Sequence, residues 1–281
     1  MLLDLVGWID KQTLLRRGFE SRTIATSVGN LHVFDGAGSG DLPPILVFHG
    51  INSRASNYHQ VLSLLLRRCR RVIAPDLPAH GLSDRPATVD PEMMRRGMSE
   101  LLDQVVDEPM IVVGNSLGGV SGIRFAQERP ELVSGLFLSS PGGARQSAEE
   151  LQDFLSVFKF ESTSDAAHFL DRIHLHPPWY RRLVARSVYR MFTEPPMKQF
   201  IENLSTDDLI TPEDLAQLTM PLLMIWGRGD RLLPLQHYKF YCDHLPKHAI
   251  IEDPPDFSHC PYQDRPDELA ARILHFAEHL R

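Results

Sequence analysis

The stretch IVVGNSLGG, Ile111 to Gly119, decides the fold. Met110–Val113 is an apolar run suited to a buried strand, while a glycine-rich segment is a poor start for a helix interior, so the chain changes element at Ser116. Gly114-Asn115-Ser116-Leu117-Gly118 fits the pattern G-x-S-x-G, with a predicted strand before it and a predicted helix, GGVSGIRFAQERP from Gly118, after it. In that setting a serine sits on a strained turn with its hydroxyl outward, and the small neighbours avoid clashes that larger side chains would create. The plainer alternative is a small-residue turn that only permits close packing.

Outward from this turn, short apolar runs recur: LHVFDG at 31, ILVFHG at 45, RVIAPD at 71, MIVVGN at 110, LVSGLFLSS at 132, LLMIWG at 222 and HAIIED at 248. Helical patterns begin between them at Ala55, Met93 and Gly118, and a last one runs from Arg265 with Leu269, Ile273, Phe276 and Leu280 on one face. Alternation of this kind predicts an α/β fold with a mostly parallel central sheet, because parallel neighbours need long crossovers and strands covered on both faces read as apolar runs. After SSPGG the rhythm stops for about seventy residues, far beyond an ordinary connection. The expected organisation is an N-terminal helical segment (1–21), a core (22–142 and 216–281) and a helical cap (143–215).

The 281 residues, 43% hydrophobic, suffice for one large domain, and the net charge of −7 contains no long run of one sign, which argues against nucleic acid. Cys69, Cys242 and Cys260 are odd in number and widely spaced, which suits a reducing, cytoplasmic location. His174 and His176 lack a third ligand at a recognised spacing, so no metal is expected, and no cofactor. Near the N-terminus, Leu2, Leu5, Val6, Ile9, Leu14 and Leu15 approximate one helical face interrupted by Asp4 and Asp10. It fits a helix packed on the core, with peripheral contact to a membrane or partner as the sharper reading, and it does not fit a secretory signal. The oligomeric state has no sequence signal.

A serine hydroxyl is a weak nucleophile at neutral pH and needs a histidine base and an orienting carboxylate. Asp230 follows the strand LLMIWG and His259 follows HAIIED, so both should emerge at the same sheet edge as Ser116. Glu252 and Asp256 are substitute orienters. His275 and His279 belong to a surface helix, His248 starts a strand at its wrong end, and His237 and His244 lie in the connection after Asp230. The backbone amides of Leu117 and of Ile51, the latter just past His49-Gly50, are candidates to stabilise an oxyanion. Asn115, Phe154, Phe158 and Trp179 are candidates for a substrate pocket, the aromatics suiting an apolar acyl or alkyl group or, equally, the cap's own core.

With HG at 49, DLPAHGLSD at 76, GNSLGG at 114, WGRGDRLLP at 226 and SHCPYQDRP at 258, the chain from about Arg22 resembles the α/β-hydrolase superfamily. The resemblance implies a serine hydrolase with Ser116, Asp230 and His259 as its triad, and a structural role for Asp76, His80 and Gly81. The layout is similar to monoacylglycerol-lipase-like members, implying an apolar carboxylic ester with a medium or long acyl chain. GNSLGG also resembles the elbow of C–C hydrolases acting on vinylogous diketones, although HCPYQDRP lacks their tryptophan after the histidine; a ligand receptor on the same scaffold is the third reading. One departure stands out: Ser258, after DPPDF, occupies the place before the histidine where relatives often have glycine, so this loop is expected to differ in conformation or mobility.

Overall fold

The computed structural model describes residues 2–280, with side chains from residue 3 onward. In chain order the elements are α1 (Leu2–Arg16), β1 (Phe19–Thr26), β2 (Gly29–Ala37), β3 (Ile45–Phe48), α2 (His59–Leu66), β4 (Arg71–Pro75), α3 (Pro91–Val105), β5 (Met110–Ser116), α4 (Leu117–Glu128) and β6 (Val133–Pro141). Then follow α5 (Ala148–Ser156), α6 (Thr163–Ile173), α7 (Arg181–Thr193), α8 (Pro195–Asn203), α9 (Pro212–Ala216), β7 (Leu222–Ile225), α10 (Leu235–His244), β8 (Ile250–Glu252), α11 (Pro261–Asp264) and α12 (Pro266–Glu278).

Eight strands form one sheet in the order β1-β2-β4-β3-β5-β6-β7-β8. The β1/β2 and β2/β4 pairs are antiparallel and all others parallel. The sheet is thus mostly parallel, as its apolar runs require. Along β3 every side chain is buried, and successive residues part company: Leu46 and Phe48 join the core beneath α3 and α4, Ile45 and Val47 the core beneath α2 and α12. Period-two alternation explains the division. The sequence runs miss β1, because FESRTIAT buries only Phe19 and Ile24 fully and reads as polar on an edge strand.

Helices α5–α9 fill the interval between β6 and β7. Their starts are encoded locally: Ser147 with Glu150 and Ser162 with Asp165 form reciprocal caps, each pair satisfying amide protons that the first helical turn leaves free. Phe158, Phe160, Phe169 and Phe192 pack together, with ring centroids of Phe160 and Phe192 4.7 Å apart and those of Phe169 and Phe192 5.0 Å apart. Much of the aromatic content is therefore this insertion's own core.

Helix α1 forms where expected but turns the other way. Gly7, Asp10 and Leu14 face the protein, while Leu5, Val6, Ile9 and Leu15 of the predicted face are exposed; the side chain of Leu2 lies outside the described residues. Apolar residues run most of the way around this helix, so periodicity could not choose its buried side. Polar anchors choose it. Arg54 Nη2 donates to the Leu3 carbonyl at 3.0 Å, and Asp10, whose carboxyl burial raises above its ordinary pKa, lies 3.5 Å from His59 Nδ1. Gly7 leaves room for that arginine, since a Cβ there would stand 2.0 Å from Nη1.

Candidate active site

Strand β5 delivers Ser116 into a backbone conformation of φ 55°, ψ −120°, the left-handed side of φ, which costs a non-glycine residue about 1–3 kcal/mol. The turn is held because β5 and α4 approach each other and β3 without side chains between them. A Cβ on Gly118 would lie 2.3 Å from Phe48 O and 2.6 Å from His49 O, both backbone atoms at the end of β3. Gly118→Ala should therefore lower stability by about 1–3 kcal/mol through overpacking, and slow turnover by displacing the loop that carries Ile51. Thermal melts and kcat read the two effects separately.

The loop after β3 is fixed by a buried histidine. His49 Nδ1 donates to Gly50 O at 2.8 Å and its Nε2 accepts from Leu77 N–H at 3.1 Å, while burial lowers its pKa and keeps it neutral. Gly50 lies against Ser116. Among the described residues the amides of Ile51 and Leu117 donate to no protein acceptor, and both residues line the same cavity as Ser116. Two free donors beside one hydroxyl can stabilise an oxygen that gains negative charge.

Just beyond β7, Asp230 is buried together with His259, whose Nδ1 donates to Asp230 Oδ2 at 2.8 Å. The other oxygen, Oδ1, accepts from Leu232 N at 2.8 Å and Leu233 N at 3.1 Å. Burial alone would raise this carboxyl's pKa, but the charge and hydrogen bond of His259, reinforced by the two amides, bring it below the ordinary value. Nδ1 carries the proton, which leaves Nε2 free to accept one. Neither Nε2 nor Ser116 Oγ makes a hydrogen bond among the described residues. The two substitute orienters are elsewhere: Glu252 pairs with Arg272, and Asp256 is exposed.

Asn115 stands behind the serine and outside the cavity wall, contrary to the pocket expectation. Its Nδ2 donates to Ser139 O and to His259 O, both at 3.0 Å, and its Oδ1 accepts from Tyr58 OH at 3.2 Å. It ties the turn at Ser116 to the backbone of the histidine. Trp179 is also not a pocket residue: it is 83% exposed, with its ring edge-on to Tyr180. Aromatic type gave no indication of which side of the insertion it occupies.

Phe154 and Phe158 do line the cavity, whose volume is about 470 Å³ and whose walls also include Ser116, Ile51, Leu117, Leu151 and Leu233. His237, set aside on sequence, also lines it from α10. Its Nε2 donates to Gln146 Oε1 at 3.1 Å, its ring meets Phe154 at 5.0 Å, and burial lowers its pKa to about 4. No local signal marks it, because α10 begins only at Leu235 and without a side-chain cap, so its spacing from Asp230 does not fix the direction of its ring. His80, by contrast, donates from Nδ1 to Pro78 O, and burial lowers its pKa to about 3. It supports the loop around Asp76, which accepts from Ala55 N and Leu82 N.

Ser258 explains the departure in the histidine loop. Fully buried, its hydroxyl donates to Asp264 Oδ2 at 2.5 Å and accepts from Cys260 N at 3.1 Å. The same Asp264 accepts from His174 Nδ1 at 2.8 Å and Leu175 N at 2.7 Å, at the end of α6. Arg231, next to Asp230, donates to His174 O at 2.7 Å. Both loops bearing the acid and the imidazole are thus fastened to one corner of the helical insertion.

A model of the alpha/beta hydrolase family matches residues 45–272. The chain belongs to this family. A pyrethroid hydrolase of Sphingobium wenxiniae is 30% identical over 83% of this chain and 87% of its own length. A 2-hydroxy-6-oxononadienedioate/2-hydroxy-6-oxononatrienedioate hydrolase of Pseudomonas sp. is 28% identical over 74% of this chain and 77% of its own. Among solved structures, a bacterial membrane phospholipase A shares the fold at a TM-score of 0.82 with 22% identity, covering 100% of this chain and 91% of that one. Among the described residues no helix is long and apolar enough to cross a membrane.

Proposed function

We propose that this alpha/beta hydrolase family member cleaves a carboxylic ester of medium or long apolar acyl chain, monoacylglycerols included, through an acyl-enzyme on Ser116. The observation that carries the reading is the buried Asp230–His259 pair with its free Nε2, linked through Asn115 to a strained serine on the wall of an apolar cavity. Ser116 Oγ attacks the carbonyl carbon as Nε2 takes its proton, and the Ile51 and Leu117 amides bind the oxyanion. The alcohol leaves with that proton. Water, deprotonated by the same nitrogen, then releases the acid and restores the serine. The missing Ser–His hydrogen bond suits a free enzyme, in which such contacts often tighten only around substrate.

Hydrolysis of a dienedioate, the substrate class named for the Pseudomonas relative, calls for cations to receive two carboxylates. The arginines of this cavity wall are already engaged: Arg124 with Asp214 at 2.8 Å, and Arg95 with Glu92 and Glu128. Apolar side chains such as Phe48, Leu151, Phe154, Phe158 and Leu233 make up much of the lining, which favours an uncharged ester. Comparing kcat/KM on p-nitrophenyl esters from acetyl to palmitoyl with that on a dienoic diketone tests this reading. A preference for long acyl chains is expected, and a preference for the diketone overturns it. Leu151→Trp, which narrows the cavity, should lower kcat/KM on the long esters by about tenfold or more while sparing the acetyl ester.

A further inference from the structure

We propose that α1, with the start of α7, is a docking face for the surface of an anionic lipid bilayer. Helix α1 directs its polar anchors inward and leaves Leu5 54%, Trp8 59% and Ile9 49% exposed, with Val6 and Leu15 on the flanks. At 100° per residue Leu5, Trp8, Ile9 and Arg16 share one side, opposite Gly7 and Leu14. A stripe of this kind, with a tryptophan at its centre, has no partner among the described residues and is costly to keep in water.

Charge selects the occupant. The chain as a whole carries −7, yet Arg16 ends α1 and Arg17 follows it, and the neighbouring α7 has four arginines, of which Arg181 pairs with Asp171 and Arg190 with Glu194. Arg182 and Arg186 are exposed and form no ion pair among the described residues, next to Leu183 at 63% exposure; Trp179 stands just before α7. An anionic surface would receive these arginines and let the apolar stripe enter the headgroup boundary. The proposal is independent of the reaction at Ser116.

Sedimentation of the full chain with vesicles tests it. Phosphatidylcholine vesicles containing phosphatidylglycerol should pellet the protein, with a blue shift of tryptophan emission, and phosphatidylcholine alone should pellet it at least tenfold less; added salt should reverse most of the binding. Trp8→Ser with Ile9→Ser should reduce binding at least tenfold without changing the melting temperature, and Arg182→Glu with Arg186→Glu should erase the preference for anionic vesicles. Three results overturn the proposal: equal binding by the Trp8/Ile9 variant, no binding to either vesicle, or a dimer in sedimentation velocity that the Trp8/Ile9 variant dissociates while vesicles capture neither protein. In the last case a second copy covers the face.

Discussion

Ser116→Ala is expected to lower kcat on an ester by at least about 10³-fold, or about 4 kcal/mol of transition-state stabilisation, with the melting temperature unchanged. Alanine keeps the φ of 55° and its strain but removes the attacking oxygen, so a large loss without unfolding separates chemistry from packing. Ser116→Gly should be equally inactive yet more stable by about 1 kcal/mol, because glycine adopts this conformation freely. A fluorophosphonate probe should label the parent at residue 116 and neither variant. Activity of the alanine variant within a few-fold of the parent would defeat the assignment.

Asp230→Asn should cost about 10⁴-fold in kcat, roughly 5 kcal/mol, with a much smaller change in KM. The direction follows from the carboxylate's two sides. Oδ1 is held by the Leu232 and Leu233 amides, which require an acceptor. Asparagine therefore places its oxygen there and turns its NH₂ toward His259, forcing the ring proton from Nδ1 to Nε2, where it blocks removal of the serine proton. Stability responds in the acid range. A folded-state pKa below the unfolded value of about 3.9 contributes stability that is full above that value and is lost as pH falls through the folded pKa. Asp230→Asn should therefore remove part of the acid dependence of unfolding below about pH 4, as read by denaturant melts across pH.

The features legible in the sequence were those whose cause is local. Apolar runs such as Ile45–Phe48 and Leu222–Ile225 marked central strands because both faces are covered, and the ends of those strands placed Asp230 and His259. The glycines around Ser116 announced a sharp bend. What could not be read depends on distant partners. The buried side of α1 is set by Arg54 and His59, some fifty residues away along the chain. Whether an aromatic residue lines the cavity depends on how the insertion packs, so Phe158 and Trp179 were indistinguishable by type. His237 was passed over because the start of α10 is capped without a side chain, leaving its helical phase relative to Asp230 unmarked.

The knot of Ser258, Asp264 and His174 bears on how a guest molecule gains entry. Since the end of α6 is tied to the strand-edge loops on both sides of His259, swinging that corner outward would drag the imidazole from its seat. Any opening that preserves the reaction centre must therefore leave this corner of α6 in place.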